Sequence, residues 1–174
     1  MHIELVAADG GDRLLEVARM LMAEYAAMPH ITGRWLTIDA DLAALPAPFV
    51  PPLGALLVAV EDGQPLACGA LSPLEPPAIA ELKRVYVRPS ARGRGVGEAM
   101  TRALMDRARG AGYSRVRLDT APELTAALAL YRRLGFHEIA PYHEVGAVEY
   151  VFLERALDLP EVPEVPDSTR SPSP

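Results

Sequence analysis

The chain has 174 residues, of which 50% are hydrophobic and 23% are charged, and its formal net charge is −6. This length fits one domain of roughly 150 residues plus a tail, and the acidic balance disfavours nucleic-acid binding, which needs a basic surface. The single cysteine, Cys68, cannot form an internal disulfide, and we find neither a signal-peptide pattern nor an apolar run of about 18 residues. We therefore expect a soluble, cytoplasmic protein with no membrane partner.

The hydrophobic pattern predicts strands and helices in the order βααβββαβαββ. The predicted elements are a strand at 3–5, helices at 14–25 and 37–45, strands at 55–60, 66–71 and 79–87, a helix at 96–111, a strand at 115–118, a helix at 122–134 and strands at 136–140 and 148–153. Pro73, Pro76 and Pro77 are predicted to lie in a connector. Hairpin strands precede a single central β-α-β unit, which predicts an α+β fold and not a doubly wound sheet.

The C-terminal segment differs in composition from the rest of the chain. From Pro160 onward, five of fifteen residues are proline and none is aromatic, so too little apolar surface is available to offset the entropy lost on ordering. We predict a domain at residues 1–157 and a Pro-rich, disordered tail at residues 158–174.

Positive charge is concentrated in one part of the sequence. Between Lys83 and Arg117 there are ten basic and two acidic residues, so this segment carries +8 and the rest of the chain −14. A local cationic zone predicts a small anionic ligand. The alternative is composition alone, since sixteen of the seventeen basic residues are arginine.

A glycine-rich loop follows the predicted strand 79–87 and opens the helix at 96–111. Its residues are Arg92, Gly93, Arg94, Gly95, Val96 and Gly97. N–H groups at a helix N-terminus lack intrahelical partners, and glycines let an anion approach the backbone, so pyrophosphate is the expected guest. A P-loop is excluded because Gly97 is followed by Glu98 and Ala99 instead of Lys and Ser or Thr. A dinucleotide-binding loop, with Asp119 on the ribose, stays open as an alternative.

This loop resembles the acyl-CoA signature of the GNAT superfamily of N-acetyltransferases, Gln/Arg-x-x-Gly-x-Gly/Ala. The flanking Leu82-Lys83-Arg84-Val85-Tyr86-Val87 and Tyr131-Arg132-Arg133-Leu134-Gly135-Phe136 resemble the family's CoA-binding strand and later helix. The resemblance covers roughly residues 3 to 155. It implies a single domain with helices on both faces of a mixed sheet, splayed between strands four and five to admit pantetheine.

The resemblance also implies roles for individual residues. The amides of Arg94, Gly95, Val96 and Gly97 would hold the pyrophosphate, with Gly93 shaping the loop and Arg92 contributing charge. The backbone of Val85 and Val87 would pair with pantetheine, and the amide of Val85 would stabilise the oxyanion. Acetyl-CoA is then the co-substrate, and no metal is expected because no His/Cys/Asp cluster has ligand spacing.

Two side chains are candidates for acid–base chemistry. By the resemblance, Glu81 would be the base, acting directly or through water, and Tyr131 would donate a proton to the departing thiolate. From the residues alone, Glu81 could equally be a strand carboxylate paired with Lys83 or Arg84, and Tyr131 could be a core tyrosine on the apolar stripe of its helix.

The acceptor site is less defined. His30, Trp35, Tyr142 and His143 are candidates for its lining. Relatives often follow the tyrosine with Asn-Pro, whereas here His143 follows Tyr142.

We expect an N-acetyltransferase acting on a primary amine of a small molecule or peptide. A catalytically silent acyl-CoA-binding module is the alternative, and the sequence leaves a homodimer open.

Overall fold

The structure is a computed structural model, and it describes residues 1–6, 13–29, 31, 38–144 and 149–158. The helices are α1 (Arg13–Ala26), α2 (Ile38–Ala44), α3 (Val96–Gly110) and α4 (Thr125–Arg133), with a short 3₁₀ turn at Pro89–Ala91. The strands are β1 (His2–Leu5), β2 (Ala55–Glu61), β3 (Gln64–Glu75), β4 (Ile79–Val87), β5 (Arg115–Thr120), β6 (His137–Glu138) and β7 (Val151–Ala156). The predicted order of elements is confirmed.

All seven of these strands form one mixed sheet in the order β1-β2-β3-β4-β5-β7-β6. The β4–β5 pair is parallel, and the other neighbours are antiparallel. The α+β class is therefore confirmed.

Each face of the sheet carries its own hydrophobic core. Leu57, Ala67 and Leu82 point toward α3 and α4, whereas Leu56, Cys68 and Tyr86 point toward α1 and α2. This division follows from the alternation of side chains along a strand. The expected placement of helices on both faces is confirmed.

The sheet opens between β4 and β5. Only Ile79, Ala80 and Glu81 of β4 pair with β5, opposite Arg115, Val116 and Arg117. Beyond Glu81 and Arg117 the two strands separate, and Leu118 to Thr120 pair only with β7 in the described part of the sheet. We call this separation the β4–β5 fork; it is the predicted splay.

A β-bulge interrupts β4 inside the β4–β5 fork. Tyr86 pairs with Cys68 and Lys83 pairs with Ala70, so Arg84 and Val85 together face the single residue Gly69 of β3. Arg84 has a left-handed φ of 55°, which few non-glycine residues adopt. The bulge turns this part of β4 away from a regular ladder.

Some predicted boundaries differ from the observed ones. The strand predicted at 66–71 continues to Glu75, and Pro73, predicted to lie in a connector, pairs with Ala80. This proline is tolerated because β2 pairs with β3 only as far as Leu71, so a missing N–H on that side breaks no bond to β2. The strand predicted at 136–140 contains only His137 and Glu138, although the amide of the next residue, Ile139, still donates to Phe152 O of β7 at 3.0 Å. Thr37 and Val148, at the ends of two predicted elements, lie outside the described residues.

Candidate active site

The β4–β5 fork encloses a cavity of about 50 Å³. Strand β4 contributes Leu82 to Val85, and β5 contributes Leu118 to Thr120. Tyr25, Leu124, Ala127 and Tyr131 complete the lining. The cavity is therefore bounded by both separating strands and by a helix from each face of the sheet.

Glu81 lies where the β4–β5 fork begins, as the last residue of β4 that pairs with β5. It is buried, with 8% of its surface exposed. Its Oε1 accepts a hydrogen bond from the Tyr142 hydroxyl at 2.8 Å, and its Oε2 lies 3.5 Å from Lys83 Nζ. Glu81 thus makes the Lys83 ion pair that the structural interpretation predicted, and it directly precedes Leu82, the first residue of β4 that lines the cavity.

Tyr131 lines the cavity from α4 and is 7% exposed. Its ring packs against Phe136, with centroids 5.6 Å apart. Burial, and secondarily the negative charge of Asp119, raises the pKa of Tyr131 to about 12. The hydroxyl therefore keeps its proton at neutral pH, as a proton donor must. Tyr131 belongs both to the core and to the cavity.

Val85 lines the cavity of the β4–β5 fork, and Val87 lies two residues further along β4. The amide of Arg88 donates to Leu66 O across to β3, so strand alternation turns the N–H and C=O of Val87 away from β3. The bulge frees Val85 from the regular ladder at the point where this residue lines the cavity. The valine side chains pack against the α3–α4 core. An extended ligand could therefore pair with these two residues as an added strand would.

The glycine loop, residues 92–97, leads directly into α3. Gly93 and Gly95 have φ values of 73° and 77°, a region that only glycine enters readily, and Gly95 is the N-cap of α3. A Cβ would meet nothing within 4 Å at either residue, so backbone conformation is the reason for glycine there. No side chain of the described residues caps this helix start, which leaves its amides for a ligand.

Gly97 has a different environment, because a Cβ there would contact Leu130 and Val87 at 3.5 Å. Arg92 donates from Nε to Val87 O at 3.1 Å, and Arg94 pairs with Glu61 of β2. The guanidinium groups of the glycine loop thus bind other parts of the protein in this conformation.

The basic residues that are close together in the sequence between Lys83 and Arg117 do not form one positively charged patch, because most of them pair with carboxylates. Eight of the ten basic residues between Lys83 and Arg117 form ion pairs with carboxylates. The pairs Arg102–Glu98 and Arg109–Asp106 lie along α3, whereas Arg117 reaches Glu75 and Glu154. The excess charge is therefore largely neutralised, and an anion site must depend more on the amides of the glycine loop.

Two of the candidate acceptor residues meet carboxylates of the site. The Tyr142 hydroxyl donates to Glu81 Oε1, and His143 Nε2 lies 3.0 Å from Asp119 Oδ2. Asp119 also lines the cavity. We call Glu81, Lys83, Asp119, Tyr142 and His143 the acceptor face. The other two candidates, His30 and Trp35, lie outside the described residues.

Sequence reasoning missed a buried ion pair beside the cavity. Arg84, at the bulge, donates from Nε and from a terminal nitrogen to Asp41 Oδ2 of α2, at 2.9 and 2.6 Å. The Arg84 side chain is 3% exposed and that of Asp41 13%. No sequence signal connected these residues, since 43 positions separate them.

Within the described residues, no helix is long and apolar enough to cross a membrane, and no group of three or more His, Cys, Asp or Glu side chains could hold a metal ion.

A strand fork beside a glycine-capped helix is the arrangement of an acyl-CoA-dependent transferase, and comparisons with known proteins support this class. The model of the Acetyltransferase (GNAT) family matches residues 16–136. The chain belongs to this family.

An uncharacterized N-acetyltransferase of Schizosaccharomyces pombe is 34% identical over 143 residues, which cover 80% of this chain and 88% of the relative. A solved structure from Klebsiella pneumoniae, provisionally named an acyl-CoA N-acyltransferase, has a TM-score of 0.67 and 28% identity, covering 90% of this chain and 97% of the other. A provisionally named acetyltransferase from Salmonella typhimurium, solved with acetyl-CoA, has a TM-score of 0.63 and 21% identity and covers 94% of this chain and 97% of its own. The chain is an N-acetyltransferase of the GNAT family.

Proposed function

We propose that this protein transfers an acetyl group from acetyl-CoA directly to a primary amine of a small molecule or a peptide. The observation that carries the proposal is the β4–β5 fork, where the buried Glu81 is the last residue of β4 paired with β5 and Tyr131 lines the cavity that begins at the next residue, Leu82. The catalytic domain would comprise residues 1–157. Leu157 supports this boundary, since it is buried and its amide donates to Ser114 O at 2.8 Å.

The proposed contacts for acetyl-CoA lie on the glycine loop and on β4. The uncapped amides at Arg94 to Gly97 would hold the pyrophosphate, with Gly93 giving the loop its turn and Arg92 adding charge. The backbone of Val85 and Val87 would pair with the pantetheine amides. Bound in this way, acetyl-CoA would supply an activated acetyl group in the form of a thioester.

Glu81 is the proposed base. A primary amine is mostly an ammonium at neutral pH and must lose a proton before its nitrogen can attack. Glu81 would take that proton, directly or through a water molecule. Its place at the start of the β4–β5 fork supports the role, because the carboxylate stands next to the strand segment that lines the cavity.

Tyr131 is the proposed acid, and the amide of Val85 would stabilise charge on the acetyl oxygen. The nitrogen–carbon bond forms and the carbon–sulfur bond breaks, and the sulfur takes the proton of the Tyr131 hydroxyl. The ammonium loses two protons in all. One is taken by Glu81 and released to solvent, and the other, lost from the nitrogen as the amide forms, makes up for the proton that Tyr131 gives to sulfur. The hydroxyl suits this task because it stays protonated up to high pH.

The proposal is tested by measuring acetyl-CoA and CoA binding by calorimetry and then screening an amine library for acetylation. We expect saturable binding of both ligands and turnover of at least one amine class. Binding without turnover of any amine or peptide would favour the silent acyl-CoA-binding module. Competition by NAD for the glycine loop would favour a dinucleotide site.

A further inference from the structure

The carboxylate of Glu81 is held from outside the sheet by Tyr142. The Tyr142 hydroxyl donates to Glu81 Oε1 at 2.8 Å, whereas Lys83, two residues along the same strand, lies 3.5 Å from Oε2. Of these two contacts, only that of Tyr142 is within ordinary hydrogen-bond length. The tyrosine is 61 residues away in sequence and reaches Glu81 from the segment between β6 and β7.

Tyr142 is itself fixed by its surroundings. Its ring meets Phe152 of β7 edge-on at 5.0 Å and His143 at 5.1 Å, and the Arg117 guanidinium lies 5.5 Å from its centroid. The neighbouring His143 is held by Asp119 at 3.0 Å. The position of the hydroxyl is therefore set by packing as well as by Glu81.

The chemistry of the contact is that of a permanent donor. Burial, followed by the negative charges of Glu81 and Asp119, raises the pKa of Tyr142 above its ordinary value. The phenol consequently stays protonated and donates to the carboxylate throughout the neutral range. A carboxylate with one oxygen held in this way cannot rotate freely, so its remaining lone pairs keep a fixed direction.

We propose that Tyr142 is a positioning residue for Glu81, holding the carboxylate in the orientation in which it accepts the proton of the acceptor amine. The inference rests on the proposed function, since it requires that Glu81 is the base. It adds a residue outside the CoA-binding elements to the machinery of the acceptor side. The positioning acts through Glu81 alone, so it should disappear when Glu81 cannot act as a base.

The test is a double-mutant cycle with the wild type, Tyr142→Phe, Glu81→Gln and the double variant, assayed with acetyl-CoA and an amine found in the screen. Phenylalanine keeps the ring contacts and removes only the hydroxyl. We expect Tyr142→Phe to lower kcat by about ten- to a hundredfold, the effect of a misplaced catalytic group, with KM for acetyl-CoA changed less than about twofold. The double variant should be no slower than Glu81→Gln alone.

Tyr113→Phe is the matched control. It removes another tyrosine hydroxyl, which donates to Leu53 O at 3.1 Å in the α3–α4 core. Its kcat should remain at the wild-type value. Urea unfolding of each variant shows that the proteins compared are folded.

Each further outcome decides between the proposals. Full activity of Tyr142→Phe beside an inactive Glu81→Gln would overturn the positioning role and leave the base in place. Full activity of Glu81→Gln would overturn the base itself and with it the proposed mechanism. An equal loss on removing the Tyr142 hydroxyl in both backgrounds would overturn positioning in favour of a general structural role.

Discussion

The glycine loop and the acceptor face differ in the groups they present: the first presents backbone amides and the second presents side chains. The loop is six consecutive residues whose proposed contribution is their backbone amides, and Gly93 and Gly95 in it have left-handed φ values. The acceptor face is made of side chains from β4, β5 and the segment before β7, joined by contacts such as Tyr142 to Glu81. A site made of backbone should tolerate side-chain changes unless they alter conformation or charge, whereas a site made of side chains should depend on single atoms.

The largest expected effect is at Gly95 of the glycine loop. In Gly95→Glu a carboxylate would stand where the pyrophosphate is expected, and like-charge repulsion should weaken acetyl-CoA binding by more than about a hundredfold. Calorimetric titration of the folded variant with acetyl-CoA measures the loss.

Gly95→Ala is the matched control for backbone strain. The left-handed φ of 77° should lower stability by roughly 1 kcal/mol in both variants, while only glutamate brings charge. An unchanged affinity in folded Gly95→Glu would show that this loop does not hold the phosphates. An equal loss of affinity in both variants would mean that conformation matters there and charge does not.

The next largest effect is expected from one oxygen atom. Tyr131→Phe keeps the ring against Phe136 and removes the proposed acid, so kcat should fall by about a hundredfold while acetyl-CoA affinity barely changes. Steady-state kinetics with a verified acceptor provide the measurement. If turnover persisted and only the melting temperature fell, Tyr131 would be a core residue and nothing more.

The buried Arg84–Asp41 ion pair is expected to contribute to the stability of the fold. Asp41→Asn removes the charge that faces the buried Arg84 guanidinium, and the free energy of unfolding should fall by about 2 kcal/mol. Urea denaturation measures this loss. Acetyl-CoA affinity should stay unchanged, because neither the Asp41 side chain nor the Arg84 side chain is among the groups proposed to hold acetyl-CoA.

Asp106→Asn serves as the comparison for Asp41→Asn. Its pair with Arg109 is exposed on α3, and its loss should change stability by no more than about 0.5 kcal/mol. If the free energy of unfolding fell by a similar amount in the two variants, burial of the Arg84–Asp41 pair would add nothing to its contribution to stability.

Added salt is expected to weaken acetyl-CoA binding only slightly. Eight of the ten basic residues in the 83–117 segment are already paired, so acetyl-CoA affinity should fall only about two- to threefold between low and moderate ionic strength. A much steeper dependence of acetyl-CoA affinity on ionic strength, measured by calorimetric titration, would mean that the ion pairs open when acetyl-CoA binds. Arginine side chains, and not only backbone amides, would then bind the phosphates.

The smallest expected effect is that of pH on the Tyr131 hydroxyl. Its pKa is raised to about 12, so the protonated donor form persists as pH rises and is lost only near that value. The decline in kcat that an ordinary tyrosine acid would show around pH 10 should therefore be missing. A tyrosine-dependent decline in kcat between about pH 8 and 10, absent in Tyr131→Phe, would contradict the burial argument.

The same contrast explains how much the sequence could predict. The order of elements and the glycine loop were predictable, because each depends on neighbouring residues: periodicity within an element, or glycines spaced along six positions. The contacts Tyr142–Glu81 and Arg84–Asp41 were not, because they join residues 61 and 43 positions apart and depend on how the sheet brings segments together. Glu81 was singled out by the family resemblance, but the hydrogen bond from Tyr142 gave no local signal in the sequence.

Cys68 offers a chemical consequence of the way β3 is enclosed. The thiol is fully buried, lies 3.7 Å from Arg84 O, and has its pKa raised to about 12 by burial above all. Both shielding and the scarcity of thiolate protect it from alkylating reagents in the folded protein. Since the chain has one cysteine, every labelled molecule is one in which β3 has come open. The rate of Cys68 labelling under native conditions therefore reports how readily the sheet opens at β3, and no engineered probe is needed.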